Sequence, residues 1–274
     1  MVRQEALGEL PNTRMNDEVA CRACGGSLHP EFSAVVLGDV PVTYHRCTKC
    51  HSLMLLNPHW LARAYSEVIV PDPDVGALRR TLFVHRVVRR LRGAGLLPRE
   101  HRSLDYGSGF GMLVRLQRDH GIEAWGYDLY ATPKFAEIYC GRELPAGKFD
   151  LITCIEVLEH TTNPIDVLTS LRSRTKDDGL VVVSTEFVDL QADTKNWHYL
   201  AKEHGQHITL FSRSGLDRAI EASGLERIHT FPFDNVPLLH VLVPKGARPP
   251  AWKLLRLRLQ QWVGEANFAS DRRV

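Results

Sequence analysis

Four cysteines near the start of the chain come as two Cys-x-x-Cys pairs, Cys21-Arg-Ala-Cys24 and Cys47-Thr-Lys-Cys50. Two residues between cysteines let a tight turn aim both sulfurs at one point, and two such turns make a tetrahedral thiolate site for zinc. With all four positions filled by protein, the metal is expected to be structural. A redox dithiol pair, idle buried thiols, or His45 or His51 in place of one cysteine are the competing readings.

A second stretch, Ser103-Leu-Asp-Tyr-Gly-Ser-Gly-Phe-Gly-Met112, carries three alternate glycines. Gly107, Gly109 and Gly111 let the backbone pass beneath a ligand without Cβ interference. The dinucleotide fingerprint needs its third glycine one place later, where Met112 stands. Asp105 also sets a carboxylate where a pyrophosphate would sit, so the turn suits a cationic ligand without phosphate. Asp128 ends the next strand and can accept hydrogen bonds from ribose hydroxyls. A third group, Trp197, His198, Tyr199, His204, Gln206 and His207, is dense in rings and imidazoles, with His160 upstream. Imidazoles suit proton transfer near neutral pH, and rings suit stacking. A structural role competes at each of these histidines, as lid packing does at Trp197 and Tyr199.

These groups need elements to hold them. Phe32–Leu37 and Val40–His45 read as short strands about the turn Gly38-Asp39, giving the cysteines a ribbon. Phe83, Val84, Val87, Val88 and Leu91 share one helical arc, with Arg79, Arg86 and Arg90 opposite. Strands are expected to end at Asp105 and Asp128 and to cover 149–154 and 179–184, with Asn163-Pro164 opening a helix. Residues 251–263 read as a terminal helix in which Trp252, Leu255, Leu259 and Trp262 or Val263 form an apolar face. Burial of that face against the chain's own domain or a second subunit is the expectation, with contact to anionic lipid as the alternative.

Taken together, Leu-Asp-x-Gly-x-Gly-x-Gly, Asp128, Phe149-Asp150 and Glu156-Val-Leu-Glu-His160 resemble the class I S-adenosylmethionine-dependent methyltransferases, in particular the ubiquinone-biosynthesis-like branch. The resemblance covers roughly residues 100 to 245. It implies an α/β fold, doubly wound on a seven-stranded and mostly parallel Rossmann-like sheet, with Glu226–Phe231 and Leu238–Val243 as the closing hairpin. It also implies that Asp105, Gly107, Ser108, Gly109 and Gly111 surround the methionine part of the cofactor. Asp128 and Leu129 would then hold its nucleoside, and Glu156 would lie along the other side. The ribbon with Asn57-Pro58 and Tyr65 is similar to zinc-headed methyltransferases of bacterial sugar and surface-glycan pathways. Family members usually carry a full third strand between the positions of Asp128 and Phe149, and here that segment is short, with Ile138–Cys140 as its remnant.

The expected organisation is a tail over 1–16, a zinc ribbon over 17–70, a cofactor-binding domain over 71–247 and a helix and tail over 248–274. The net charge of +2 makes no case for nucleic acid. No apolar run approaches the length of a membrane span, and the acidic start argues against a secretory signal, so a cytoplasmic location is expected. The expected function is methylation of a small molecule, on a hydroxyl of a sugar or glycan intermediate or a secondary metabolite. His207, His204 and His160 are candidate bases, and Trp197, His198, Tyr199 and Gln206 are candidate acceptor contacts. An RNA base methyltransferase and a non-catalytic cofactor-binding scaffold are the alternatives.

Overall fold

The computed structural model describes residues 20–67, 75–233 and 236–259. The expected 1–16 tail, the Pro71–Asp74 boundary and residues 260–263 of the terminal helix lie outside them.

The ribbon consists of β1 (Leu28–Val36), β2 (Val40–Cys47) and β3 (Leu53–Leu55), all antiparallel. A short helix, α1 (Leu61–Glu67), leads away from it. Helix α2 (Val75–Gly93) buries Val84, Val87, Val88 and Leu91 as their spacing predicts, together with His85. The parallel core follows: β4 (Arg102–Tyr106), α3 (Met112–Asp119), β5 (Glu123–Tyr127) and β6 (Cys140–Gly141). Next come β7 (Phe149–Ile155), α4 (Pro164–Arg174) and β8 (Thr175–Thr185). After a long connection, β9 (Thr209–Leu210), α5 (Arg213–Ala222), β10 (Leu225–Phe233) and β11 (Val236–Pro244) close the domain.

The large sheet has the order β10-β11-β8-β7-β4-β5-β6. Strands β4 to β8 run parallel, whereas β11 is antiparallel to β8 and β10 to β11. This is the doubly wound sheet with a closing hairpin. Its middle strand β7 is buried along nearly its whole length because helices cover both faces. Each fully buried aliphatic side chain there contributes about 1.5–3 kcal/mol. The strand order reverses between β4 and β7, and ligands of open α/β sheets bind outside the carboxyl ends at such a point. The shortened third strand is the two-residue β6, preceded by a single 3-10 turn at Glu137–Tyr139.

The ribbon is joined to the rest more tightly than a boundary near residue 70 suggests. Strand β9 pairs with β3 and extends the ribbon into a four-stranded sheet. Arg22 donates to the Ile208 and Leu55 carbonyls, at 2.9 and 2.7 Å, and to Thr209 Oγ1. Ser212 N donates to Ser52 Oγ (3.1 Å), and Ser212 Oγ to the Cys50 carbonyl. Behind the cysteines, Phe211, Leu216 and Ala219 share one core with them.

The terminal segment is helical over 251–259, but its inward face differs from the expected one. Leu257 is buried and Leu254 packs beside it, while Trp252, Leu255 and Leu259 are exposed. The helix is therefore turned so that the larger apolar stripe faces outward.

Candidate functional site

The glycine turn after β4 is built by three left-handed glycines, with φ of 78°, 52° and 79° at Gly107, Gly109 and Gly111. A side chain on Gly107 would collide with Val157, whereas the space above Gly109 is open. Gly107 and Ser108 both donate their N–H to the Tyr127 carbonyl, which fixes the turn to β5. Asp128 then pins it from the other side. Its carboxylate accepts from Gly109 N (2.9 Å), Tyr130 N (2.9 Å) and Ala131 N (2.8 Å). Three donors hold the group rigidly and leave part of its capacity of about four acceptor sites unused. The Ser108 hydroxyl is buried without a protein partner and borders a small recess shared with Gly109, Asp128 and Arg142.

Asp105 lies deeper and is 7% exposed, its Oδ1 accepting from Thr153 Oγ1 at 2.7 Å. Burial pushes its pKa up to about 7, partly offset by the Thr153 hydrogen bond and reinforced by nearby Asp128. A cation beside it would favour the charged form.

A cleft of about 590 Å³ runs outward from this turn. Gly107, Asp128, Leu129 and Glu156 line it together with Tyr65, His160 and Gln206. Tyr106, Phe110, Tyr127 and Tyr130 give it an aromatic wall. Tyr65 stacks on Tyr130, with ring centroids 3.8 Å apart and planes 8° apart. This wall was not foreseen as such. Tyr106, Tyr127 and Tyr130 stand beside the two expected acids, but one strand residue supplies no signal for which way its neighbour's ring turns.

Behind the cleft lies a buried polar cluster. Glu156 adopts φ 55° at the end of β7, a conformation costly for a non-glycine residue and concentrated at functional sites. Its Oε1 accepts from Ser184 Oγ (2.7 Å) and its Oε2 from Tyr199 OH (3.0 Å). The same hydroxyl lies 2.6 Å from Glu159 Oε1. One phenolic proton cannot serve two carboxylates, and burial raises the pKa of both, so the pair retains an extra proton more readily than free carboxylates. His160 Nδ1 lies 3.2 Å from Tyr65 OH, and His207 Nδ1 lies 2.6 Å from the Tyr199 carbonyl. The two imidazoles meet edge to face at 4.7 Å. Burial lowers both pKa values, that of His207 to about 4, so both rings are neutral at pH 7.

The structure thus gathers Gly107, Asp128, Leu129, Glu156, His160 and Gln206 on one cleft and sets His207 just behind His160. The remaining candidates of the 187–212 connection do not join them. Trp197 is 4% exposed, donates from Nε1 to Glu186 Oε2 and packs with Tyr44, Leu53 and Trp60. Tyr199 is buried in the same cluster, its hydroxyl alone reaching the carboxylates. His198 is exposed and pairs with Glu186, and His204 is exposed and does not line the cleft. Of the candidate acceptor contacts in this connection, Gln206 lines the cleft, whereas Trp197 and Tyr199 are buried against the ribbon. Most of its large side chains fill the joint with the ribbon because that joint is the nearest apolar surface.

Cys21, Cys24, Cys47 and Cys50 bring their four Sγ atoms within 4.8 Å of one another. The Cys21–Cys50 and Cys24–Cys47 separations are 3.6 and 3.5 Å, close to the edge of about 3.8 Å set by tetrahedral bonds of about 2.3 Å. Gly25 (φ 68°) and His51 (φ 64°) take the left-handed positions after each pair. Lys49 N and Cys50 N point at Cys47 Sγ from 3.3 and 3.4 Å. The donor set fits a thiolate-bound metal, and neither His45 nor His51 belongs to it.

A doubly wound sheet of this order, with its glycine turn after β4 and an acid at the end of β5, defines a class I methyltransferase fold. A family model described as "Methyltransferase domain" matches residues 77–230, more than half of the chain, and the chain belongs to that family. Among curated proteins it is similar to the ubiquinone biosynthesis O-methyltransferase of Idiomarina loihiensis, 29% identical over 154 residues (46% of this chain, 61% of that protein). The same enzyme of Histophilus somni is 29% identical over 107 residues (31% and 45%), and that of Glaesserella parasuis 53% over 38 residues (14% and 16%). The chain thus spans less than two thirds of these relatives. Among solved structures, the SAH-bound magnesium protoporphyrin IX methyltransferase of Synechocystis PCC 6803 aligns with a TM-score of 0.47 and 17% identity, covering 68% of this chain and 93% of that one. A calicheamicin-biosynthesis methyltransferase aligns at 0.44 and 17%, covering 69% and 60%.

Proposed function

We propose that this chain transfers a methyl group from S-adenosylmethionine to a hydroxyl of a small, ring-bearing acceptor. The observation that carries the reading is the single cleft that joins the glycine turn and Asp128 to an aromatic wall and to His160. When bound, the cofactor supplies an electrophilic methyl on a sulfonium. Asp128, held by three backbone N–H groups, is set to take the ribose hydroxyls, and Asp105 favours the cationic amino-acid end. The four rings of the wall, with Tyr65 stacked on Tyr130, suit a flat or cyclic acceptor. His160, with its Nδ1 engaged by Tyr65, is the group that meets the acceptor hydroxyl, and His207 supports it from behind.

A phenolic acceptor agrees with the relatives named for ubiquinone O-methylation, and a sugar hydroxyl fits the same walls. The basic groups that would favour RNA are largely committed elsewhere. Arg46 pairs with Glu31 at 3.0 Å, and Arg86 and Arg90 also have partners. In the same reading the four cysteines hold one structural zinc per chain.

Calorimetric titration with S-adenosylhomocysteine tests the proposal. Saturable binding is expected, weakened by about 1–3 kcal/mol in Asp128→Ala through loss of a charge-assisted hydrogen-bond partner. Absence of binding by the wild-type chain would overturn it. Transfer of labelled methyl to a panel of phenols and sugars would then separate the two acceptor types.

A further inference from the structure

The helix over 251–259 lies outside the stretch matched by the methyltransferase family, and methyl transfer makes no use of it. Its placement is fixed from one side. Leu257 is buried, and Leu254 and Ala247 pack against the same core, so the opposite side faces solvent. There Trp252, Leu255 and Leu259 are 58, 58 and 56% exposed. At about 100° per residue these three fall within an arc of about 60°, so they form one apolar strip. Arg256 and Arg258 border the strip on its two sides, and both are exposed. Trp252 and Lys253 lie over the corner at Gly95, where an added Cβ would stand 3.8 Å from Trp252 Cη2 and from Lys253 Cε. Between Lys245 and Gly264 the basic residues are Lys245, Arg248, Lys253, Arg256 and Arg258, and there is no Asp or Glu. An exposed apolar strip rimmed by charge marks an interaction site, and the sign of the rim selects a negative partner.

We propose that this helix docks the protein on an anionic lipid surface. An interfacial helix sinks its apolar face to the level of the headgroups while basic side chains reach the lipid phosphates. Trp252 suits that boundary, with an apolar ring and a polar indole N–H. The stems of Arg256 and Arg258 can lie along the apolar layer with their guanidinium groups among the phosphates. Nucleic acid would satisfy the cations but leave Leu255 and Leu259 in water. A two-fold contact with a second copy would bring Arg256 and Arg258 of one molecule towards those of the other, with no acid on the helix to offset them. Docking in this way leaves the cleft free. Lys253 lines a recess of about 490 Å³ with Asp150 and Asp178, near the beginning of β7 and β8. The cofactor cleft lies beyond the opposite, carboxyl ends of the strands, so it stays open to water while the helix rests on lipid.

Flotation of the full chain with vesicles tests the proposal. Vesicles of phosphatidylglycerol and phosphatidylcholine in equal parts should carry the protein upward, and vesicles of phosphatidylcholine alone should carry far less. A basic residue at an anionic surface strengthens binding about fivefold, so the double variant Arg256→Gln, Arg258→Gln should weaken it about 25-fold. The double variant Trp252→Ser, Leu255→Ser keeps every charge and should weaken it at least about tenfold through lost apolar burial. All four positions are exposed and away from the cleft lining, so circular dichroism and S-adenosylhomocysteine affinity should match the wild type in both variants. Absence of binding, equal binding to the two kinds of vesicle, or binding unchanged in either variant would overturn the proposal. A dimer in analytical ultracentrifugation that Trp252→Ser, Leu255→Ser dissolves, in protein that does not float, would assign the strip to a second copy instead. Flotation does not depend on the cofactor, so failure of S-adenosylhomocysteine to bind would overturn only the methyltransferase reading.

Discussion

The glycine turn at 103–112 and the connection at 187–212 both look like functional loops in the sequence, yet they meet different fates. The turn's chemistry is local. Its glycines take left-handed conformations, and its fixing partner Asp128 ends the adjacent strand. The connection's aromatic residues are decided by distant surfaces, because the ribbon presents Tyr44, Leu53, Leu55 and Trp60 to them. Backbone geometry required by a ligand can be read from residue types, whereas the direction in which a large ring is buried depends on what the fold brings alongside.

Removing metal from the cysteines is the strongest way to break the contrast. If the ribbon is a true part of the connection's core, the effect should exceed the first 60 or so residues. Hydrogen exchange after chelation should quicken through the ribbon and also through β9 and α5, since Ser52, Ser212 and Phe211 link them. Protection of 209–222 that survives complete metal loss would make the ribbon a separable module.

Trp197→Ala should destabilise by about 3–5 kcal/mol in denaturant titration, the cost of emptying a packed aromatic site. A direct acceptor contact would instead leave stability nearly unchanged and impair only methyl transfer.

The turn's own prediction concerns pH. Asp105 has a folded pKa raised to about 7, so the native state holds a proton that the unfolded chain releases near pH 4. Its contribution to stability is therefore fully present below about pH 4 and declines as pH rises towards 7. Binding of a cationic ligand requires the ionised form. Affinity for S-adenosylhomocysteine should consequently rise about tenfold from pH 6 to pH 8, with proton release seen as buffer-dependent heat. A flat profile would remove Asp105 from the cofactor's cationic end.

The smallest effect is expected at His204. It is exposed and does not line the cleft, so His204→Ala should change stability by no more than about 0.5 kcal/mol and leave methyl transfer intact. A large loss of turnover would return this histidine to the site.

The parallel order of the core was implied by the family resemblance, whereas residue types and spacing made legible its strands, the four-cysteine knot, the left-handed turn and the acid at the end of β5. Each follows from short-range requirements: hydrophobic periodicity, turn geometry, or fixed spacing between ligands. Even the shortened third strand was visible as a run too broken by proline and glycine to extend further. Tertiary structure alone decided that α1 carries Tyr65 to the cleft, that Tyr199 reaches two buried carboxylates, and that His207 rather than His204 approaches His160. It also turned Leu254 and Leu257 of the last helix inward in place of Trp252 and Leu255. In every such case the partners lie far apart in the chain, and no local pattern encodes a contact whose energy depends on the surface that folding brings opposite.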